Sequence, residues 1–213
     1  MKKTILIALL LTISNHYLLA QDLGPVRWGI KAGFNFTTSP YKSEQTISTK
    51  PFYGGYAGFM MKIPFDNHLH FAPQLDLNYR GLNTKDLNPN RYSKINEVQV
   101  RIAPLLQFYL KHPSEKVNSF FIQAGPSIGI GLGGNQTEQN NNNIPLNRKL
   151  KYGYQTYGKY DAAWHTGLGY DGKAGFRLLL EYVHGLSNMI NTDNGPSLKY
   201  RTISLGIGYL INK

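Results

Sequence analysis

In eight successive stretches of this chain, apolar and polar side chains take turns one residue at a time, and no other feature constrains the fold as strongly. In residues 68–80, HLHFAPQLDLNYR, the odd positions hold Leu69, Phe71, Pro73, Leu75, Leu77 and Tyr79, and the even ones hold His70, Ala72, Gln74, Asp76, Asn78 and Arg80. A period of two is that of a β-strand, whose side chains point alternately to opposite faces. The same pattern recurs in residues 26–37, 52–63, 96–110, 120–132, 157–170, 174–186 and 199–211. One face of each stretch is almost wholly apolar, and a tilted strand crossing a bilayer needs about 9–11 residues of this kind.

After residue 20 no apolar run reaches the roughly 18 residues of a transmembrane helix, so a membrane-spanning chain of this composition crosses as a closed barrel. Charged residues make up only 16% of the 213, against 22 Gly, 15 Tyr and 10 Phe, a balance suited to tightly packed strands and interfacial aromatic girdles. Residues 1–20 read as a removable signal peptide: Lys2 and Lys3 precede a short apolar core, and cleavage is placed after Ala20, although Leu18 is larger than the usual residue three before the cut. Losing Lys2 and Lys3 lowers the formal charge from +11 to +9 for residues 21–213, which form one domain. Without Cys there is no lipid anchor through an N-terminal Cys and no disulfide framework.

The connections alternate in length. Residues 38–51, 81–94, 133–156 and 187–198 are long, whereas 64–67, 111–118 and 171–173 are shorter. Outer-membrane barrels have short periplasmic turns and longer external loops, so the expected fold is all-β: a closed, eight-stranded, antiparallel up-and-down transmembrane β-barrel with both termini periplasmic. A soluble barrel would turn its apolar face inward, and its other face would not carry so many glycines and oppositely charged residues.

An eight-stranded barrel leaves room inside for side chains and no broad channel. If the third and fourth stretches pair so that opposing residue numbers sum to 177, Arg80 faces Glu97 and Asp76 faces Arg101. These are the expected structural charge pairs of the lumen, since a buried charge without a partner is costly.

The runs at residues 71–81 (FAPQLDLNYRG), 98–110 with Pro104, 121–129 (FIQAGPSIG) and 180–188 (LEYVHGLSN) together resemble the PorT-like outer-membrane β-barrel family of Bacteroidota, across nearly the whole chain after residue 20. The resemblance implies an eight-stranded outer-membrane barrel, in a family whose name-giving member belongs to the type IX secretion machinery. Where family sequences often carry an acid after the third-strand proline, this chain has Gln74. No catalytic residue is carried over.

Gly129, Gly131 and Gly134 spell G-x-G-x-x-G but lead into an Asn-rich loop and no helix, so they are read as relieving crowding or bending the strand, not as a phosphate cradle. His70, Asp161, His165 and Glu181 face inward, as do Ser127 and Ser204, yet nothing around either serine resembles a nucleophile elbow, and the expectation is no enzyme. The six His are scattered, and His68 and His70 make no metal site by themselves; no cofactor is expected. Asn35 and Asn135 begin glycosylation-like triplets that carry no meaning in a bacterial barrel.

Pro73, Pro104 and Pro126 share the lipid-facing parity of consecutive strands near the periplasmic end. Each should break an inter-strand bond or mark a bulge, serving barrel closure or else a weakened wall that docks a helper protein or packs lipid closely. Residues 81–94 hold Lys85, Arg91 and Lys94 against Asp86; residues 133–156 hold Arg148, Lys149 and Lys151 against Glu138. With Tyr152 and Tyr154, the second group would form an external binding patch, for which lipopolysaccharide phosphates are natural counter-ions. Nucleic acid would suit the charge but not the exported location. The expected role is structural or interactive, in contact with outer-membrane lipid. The alternatives are an accessory part of a type IX secretion complex, in contact with its subunits, and a lipid- or peptide-modifying enzyme. No oligomeric state follows from the sequence.

Overall fold

The computed structural model describes residues 24–39, 41–42, 48–85, 92–111, 118–139, 145–154, 156–191 and 197–211; the signal-peptide reading of residues 1–20, and Asp86 and Arg91, lie outside them. Eight staves form the wall: β1 (Arg27–Thr38), β2 (Phe52–Pro64), β3 (Leu69–Lys85), β4 (Tyr92–Tyr109), β5 (Ser119–Gln139), β6 (Tyr160–Asp171), β7 (Phe176–Gly185) and β8 (Arg201–Ile211). Each pairs antiparallel with its neighbours in chain order, and β1 pairs with β8 from Trp28 opposite Ile211 to Thr38 opposite Arg201, which closes the ring. Closure removes the sheet edges that a bilayer cannot satisfy.

Burial is inverted relative to a soluble protein. Phe34 is 81% and Leu205 63% exposed on the outer wall, while Lys31 and Asp76 are 2% and 1% exposed inside. Such a continuous apolar girdle is stable in contact with acyl chains and not with water. Inward aromatics fit because glycines receive them: Phe121 lies over Gly169 and Tyr56 over Gly206, where any Cβ would collide with the aromatic side chain.

At one end the turns are short. The β6–β7 turn holds Ala174 at φ 60° and Gly175 at φ 88°, closed by the Gly172 N–H donating to the Phe176 carbonyl at 2.8 Å. At the other end three staves overrun the barrel. β3, β4 and β5 continue to Lys85, from Tyr92 and to Gln139, so residues expected in the 81–94 and 133–156 loops are paired strand. The strand Pro145–Lys149 folds back on β5, and Ser48–Lys50 adds to β3. Hydropathy does not mark these extensions, because beyond the lipid no apolar outer face is imposed and the strict alternation loses its cause. The sixth stave likewise starts at Tyr160 and not near residue 157. Tyr157 instead joins Leu82, Leu150, Met189, Leu198 and Tyr200 in a compact apolar cluster at the long-loop end.

Candidate functional site

The β3–β4 register sums to 177, so Arg80 sits opposite Glu97 and Asp76 opposite Arg101. Arg80 donates through Nε and Nη2 to Glu97 Oε2, both at 3.2 Å, and Arg101 Nη2 donates to Asp76 Oδ2 at 3.2 Å. The lumen also brings partners from distant staves. Asp161 on β6 accepts from Arg80, while Lys31 on β1 reaches Asp76 at 3.2 Å and Glu181 at 3.6 Å. Gln123 links the amides to the acids, accepting from Gln107 at 2.9 Å and donating to Glu181 at 2.7 Å.

A third cluster lies toward the short turns. Arg177 donates to both oxygens of Asp171 at 2.6 and 2.8 Å, Tyr109 donates to Asp171 at 2.7 Å, and Lys62 lies 3.5 Å from the same carboxylate and 4.0 Å from the Tyr109 ring centroid. Among the described residues the lumen ion pairs join five cations, Lys31, Lys62, Arg80, Arg101 and Arg177, to five carboxylates, Asp76, Glu97, Asp161, Asp171 and Glu181. These pairs balance in charge, which offsets the desolvation of their members, and Arg27 at the short-turn end adds a sixth cation beside Lys62 and Tyr109. Parity reasoning turns Lys31 and Lys62 inward but cannot pair them, because no hairpin register relates strands that meet only across the lumen.

The long-loop cluster caps this core. Tyr152 and Tyr157 hydroxyls both donate to Glu97 at 3.3 Å, the Tyr157 and Tyr200 hydroxyls are 2.5 Å apart, and the Arg80 guanidinium lies 4.3 Å from the Tyr200 ring centroid. Burial first, reinforced by the Glu97 charge, holds the Tyr152 hydroxyl well above the usual phenol range; burial does the same for Tyr157 and Tyr200. All three therefore remain neutral donors. Of the external patch, Arg148, Lys149, Lys151 and Tyr154 are exposed, whereas Tyr152 is half-buried with its hydroxyl on Glu97.

Three of the inward residues weighed for catalysis are hydrogen-bonded to groups outside that set. Asp161 is bound by Arg80, Glu181 by Gln123, and Ser204 donates to Asn35 at 2.7 Å. His165 is buried with neither ring nitrogen hydrogen-bonded, and His70 packs on the Tyr109 ring at 4.8 Å. Ser127 lines a cavity of about 10 Å³ with Asn35, Asn78, Arg80, Arg101 and Asp161, space for a single water and not for a substrate. Among the described residues no group of three or more His, Asp or Glu is placed to hold a metal ion.

The three prolines lie side by side, Pro73 opposite Pro104 in the β3–β4 ladder and Pro126 opposite Trp164 on β6. The β4–β5 ladder is interrupted between Ile102 opposite Ile128 and Leu106 opposite Ala124, the stretch holding Pro104 and Pro126; the β2–β3 ladder is interrupted between Gln74 and Phe71, the stretch holding Pro73. Register is the same on both sides of each gap, so bonds are lost without a bulge. The register shift falls instead at Val98/Gln99, opposite Gly131 and Gly133, where β5 holds one extra residue as it leaves the barrel. A side chain at Gly131 would strike Glu97 and Tyr152, so that glycine serves the cap over the lumen and no phosphate site.

Residues 19–191 match the family described as outer membrane protein beta-barrel domain. No curated protein matches the sequence significantly. Among solved structures, the fold is similar to the outer membrane protein OprG from Pseudomonas aeruginosa, with a TM-score of 0.50 and 11% identity over 88% of this chain and 96% of that one. It is also similar to Ail, the attachment invasion locus protein of Yersinia pestis, with a TM-score of 0.48 and 15% identity over 88% of this chain and 100% of that one. At such identities the likeness concerns the fold.

Proposed function

Since the chain belongs to the outer membrane protein beta-barrel domain family, we propose that it is a plugged barrel with both termini in the periplasm, acting through its long-loop end as a structural or interaction protein without turnover. The observation that carries this reading is the ion-paired, side-chain-filled lumen inside a lipid-facing wall: among the described residues the lumen charges are held by one another, which favours the ends as the working surfaces. The two ends differ in charge. In sequence, the segments 39–51, 83–95, 133–159 and 186–201 hold eleven Lys and Arg against four Asp and Glu. Phosphates of outer-leaflet lipopolysaccharide are the matching counter-ions.

The absence of native Cys makes orientation directly testable. A single Cys replacing Lys149 should react with a membrane-impermeant maleimide on intact cells, and one replacing Lys173 only after the outer membrane is opened. The reverse pattern would overturn the proposed topology. The PorT-like motifs at residues 71–81, 121–129 and 180–188 support a more specific reading, an accessory part of a type IX secretion complex. Recovery of secretion subunits with the detergent-solubilised protein supports it, and a barrel recovered alone counts against it. Altered lipid A or outer-membrane peptide masses on deleting the protein would contradict the role without turnover.

A further inference from the structure

The barrel has no edge, but the sheet that overruns it does. Past Ile130, the last β5 residue paired with β6, β5 keeps β4 on one side and gains Pro145–Lys149 on the other. The Leu150 N–H donates to the Gly134 carbonyl at 2.9 Å. In an antiparallel pair, hydrogen-bonded and non-bonded residues alternate, so Leu146, Arg148 and Leu150 direct their main chain at β5. Pro145, Asn147 and Lys149 direct theirs away from it. Among the described residues no strand pairs with that side, and all five side chains of Pro145–Lys149 are exposed.

We propose that this edge is a docking site for an extended, acidic segment of a protein partner, which adds as a further strand. The Asn147 and Lys149 N–H groups and the carbonyls of Pro145, Asn147 and Lys149 supply the ladder; Arg148, Lys149 and the neighbouring Lys151 supply the charge selection. Open edges are commonly blunted by Lys and Pro against self-association. Here the same residues disfavour a second copy, which would bring its own Arg148, Lys149 and Lys151 close to these, and favour an acidic strand. The site goes beyond the proposed role and does not depend on which way the barrel faces, so its failure would leave that role standing.

The test uses the full-length barrel folded in detergent micelles, its folding checked by heat-modifiable gel migration, with a fluorescent decapeptide of alternating Glu and Val followed by anisotropy. Saturable binding is expected. At least a tenfold loss is expected for the Glu-to-Lys peptide, for the Glu/Val peptide N-methylated at alternate amides, and for Asn147→Pro and Lys149→Glu proteins. Lys173→Glu at the opposite end should leave binding unchanged. Equal binding of the N-methylated peptide would reduce the site to a charge effect, of the kind lipopolysaccharide phosphates would share, and overturn the proposal. No binding by the folded wild type would overturn it too, as would disulfide-linked dimers through Asn147→Cys, which would assign the edge to a second copy.

Discussion

Arg80 touches more of the lumen network than its cross-strand partner alone: it holds Glu97 and Asp161 and lies over Tyr200. Arg80→Ala strands two buried carboxylates, and breaking a buried pair in this way costs about 3–5 kcal/mol. The urea midpoint of the micelle-folded barrel should fall accordingly, and an unchanged midpoint would show that the pairs carry no stability. Asp76 separates a pair from a network. The Asp76–Arg101 contact can be reached from the sequence, because one hairpin register relates the two residues; the Lys31 contact to the same carboxylate cannot, because it crosses the lumen. Exchanging the two charges, Asp76→Arg with Arg101→Asp, should therefore recover less than half of the stability lost by Asp76→Arg alone, since Lys31 then faces an arginine. Ala174 is the described non-glycine residue at positive φ, and Ala174→Gly should raise the unfolding free energy by about 0.5–1 kcal/mol, read as a higher urea midpoint.

Among the elements, the proline seam and the overrunning staves depart most from regular barrel wall. Pro104→Ala with Pro126→Ala returns two main-chain donors to the interrupted β4–β5 ladder, each hydrogen bond contributing about 1 kcal/mol. Amide exchange at residues 103–105 and 125–127 should slow in the double variant; unchanged exchange would mean the gap has another cause. If the seam docks a helper protein, crosslinked partners should disappear when Pro73, Pro104 and Pro126 are all replaced by Val. The staves were legible wherever lipid lies on one side and the lumen on the other, because that contrast is what writes the alternation into the sequence. Residues 83–85, 92–95, 135–139 and 145–149 carry mixed polar residues without sustained alternation and disclose their pairing only in three dimensions. The apolar cap was hidden for a related reason: Leu82, Leu150, Met189 and Leu198 come from three of the expected connections, 81–94, 133–156 and 187–198, and share no local period.

At the scale of the whole molecule, charge and apolarity are sorted into zones. The wall is apolar, the lumen is ionic with its carboxylates paired to cations, and in sequence most of the formal +9 left after residue 20 falls in the long connections. An ion-paired core fills an eight-stranded barrel without leaving a broad channel, and the cavity among Arg80, Arg101 and Asp161 has space for one water. The central claim is that this core closes the barrel, and planar-bilayer conductance of the folded wild-type protein tests it most directly. The expected record is a quiet baseline with no long-lived open level at any holding voltage, whereas a stable, porin-sized conductance from the wild type would contradict the account.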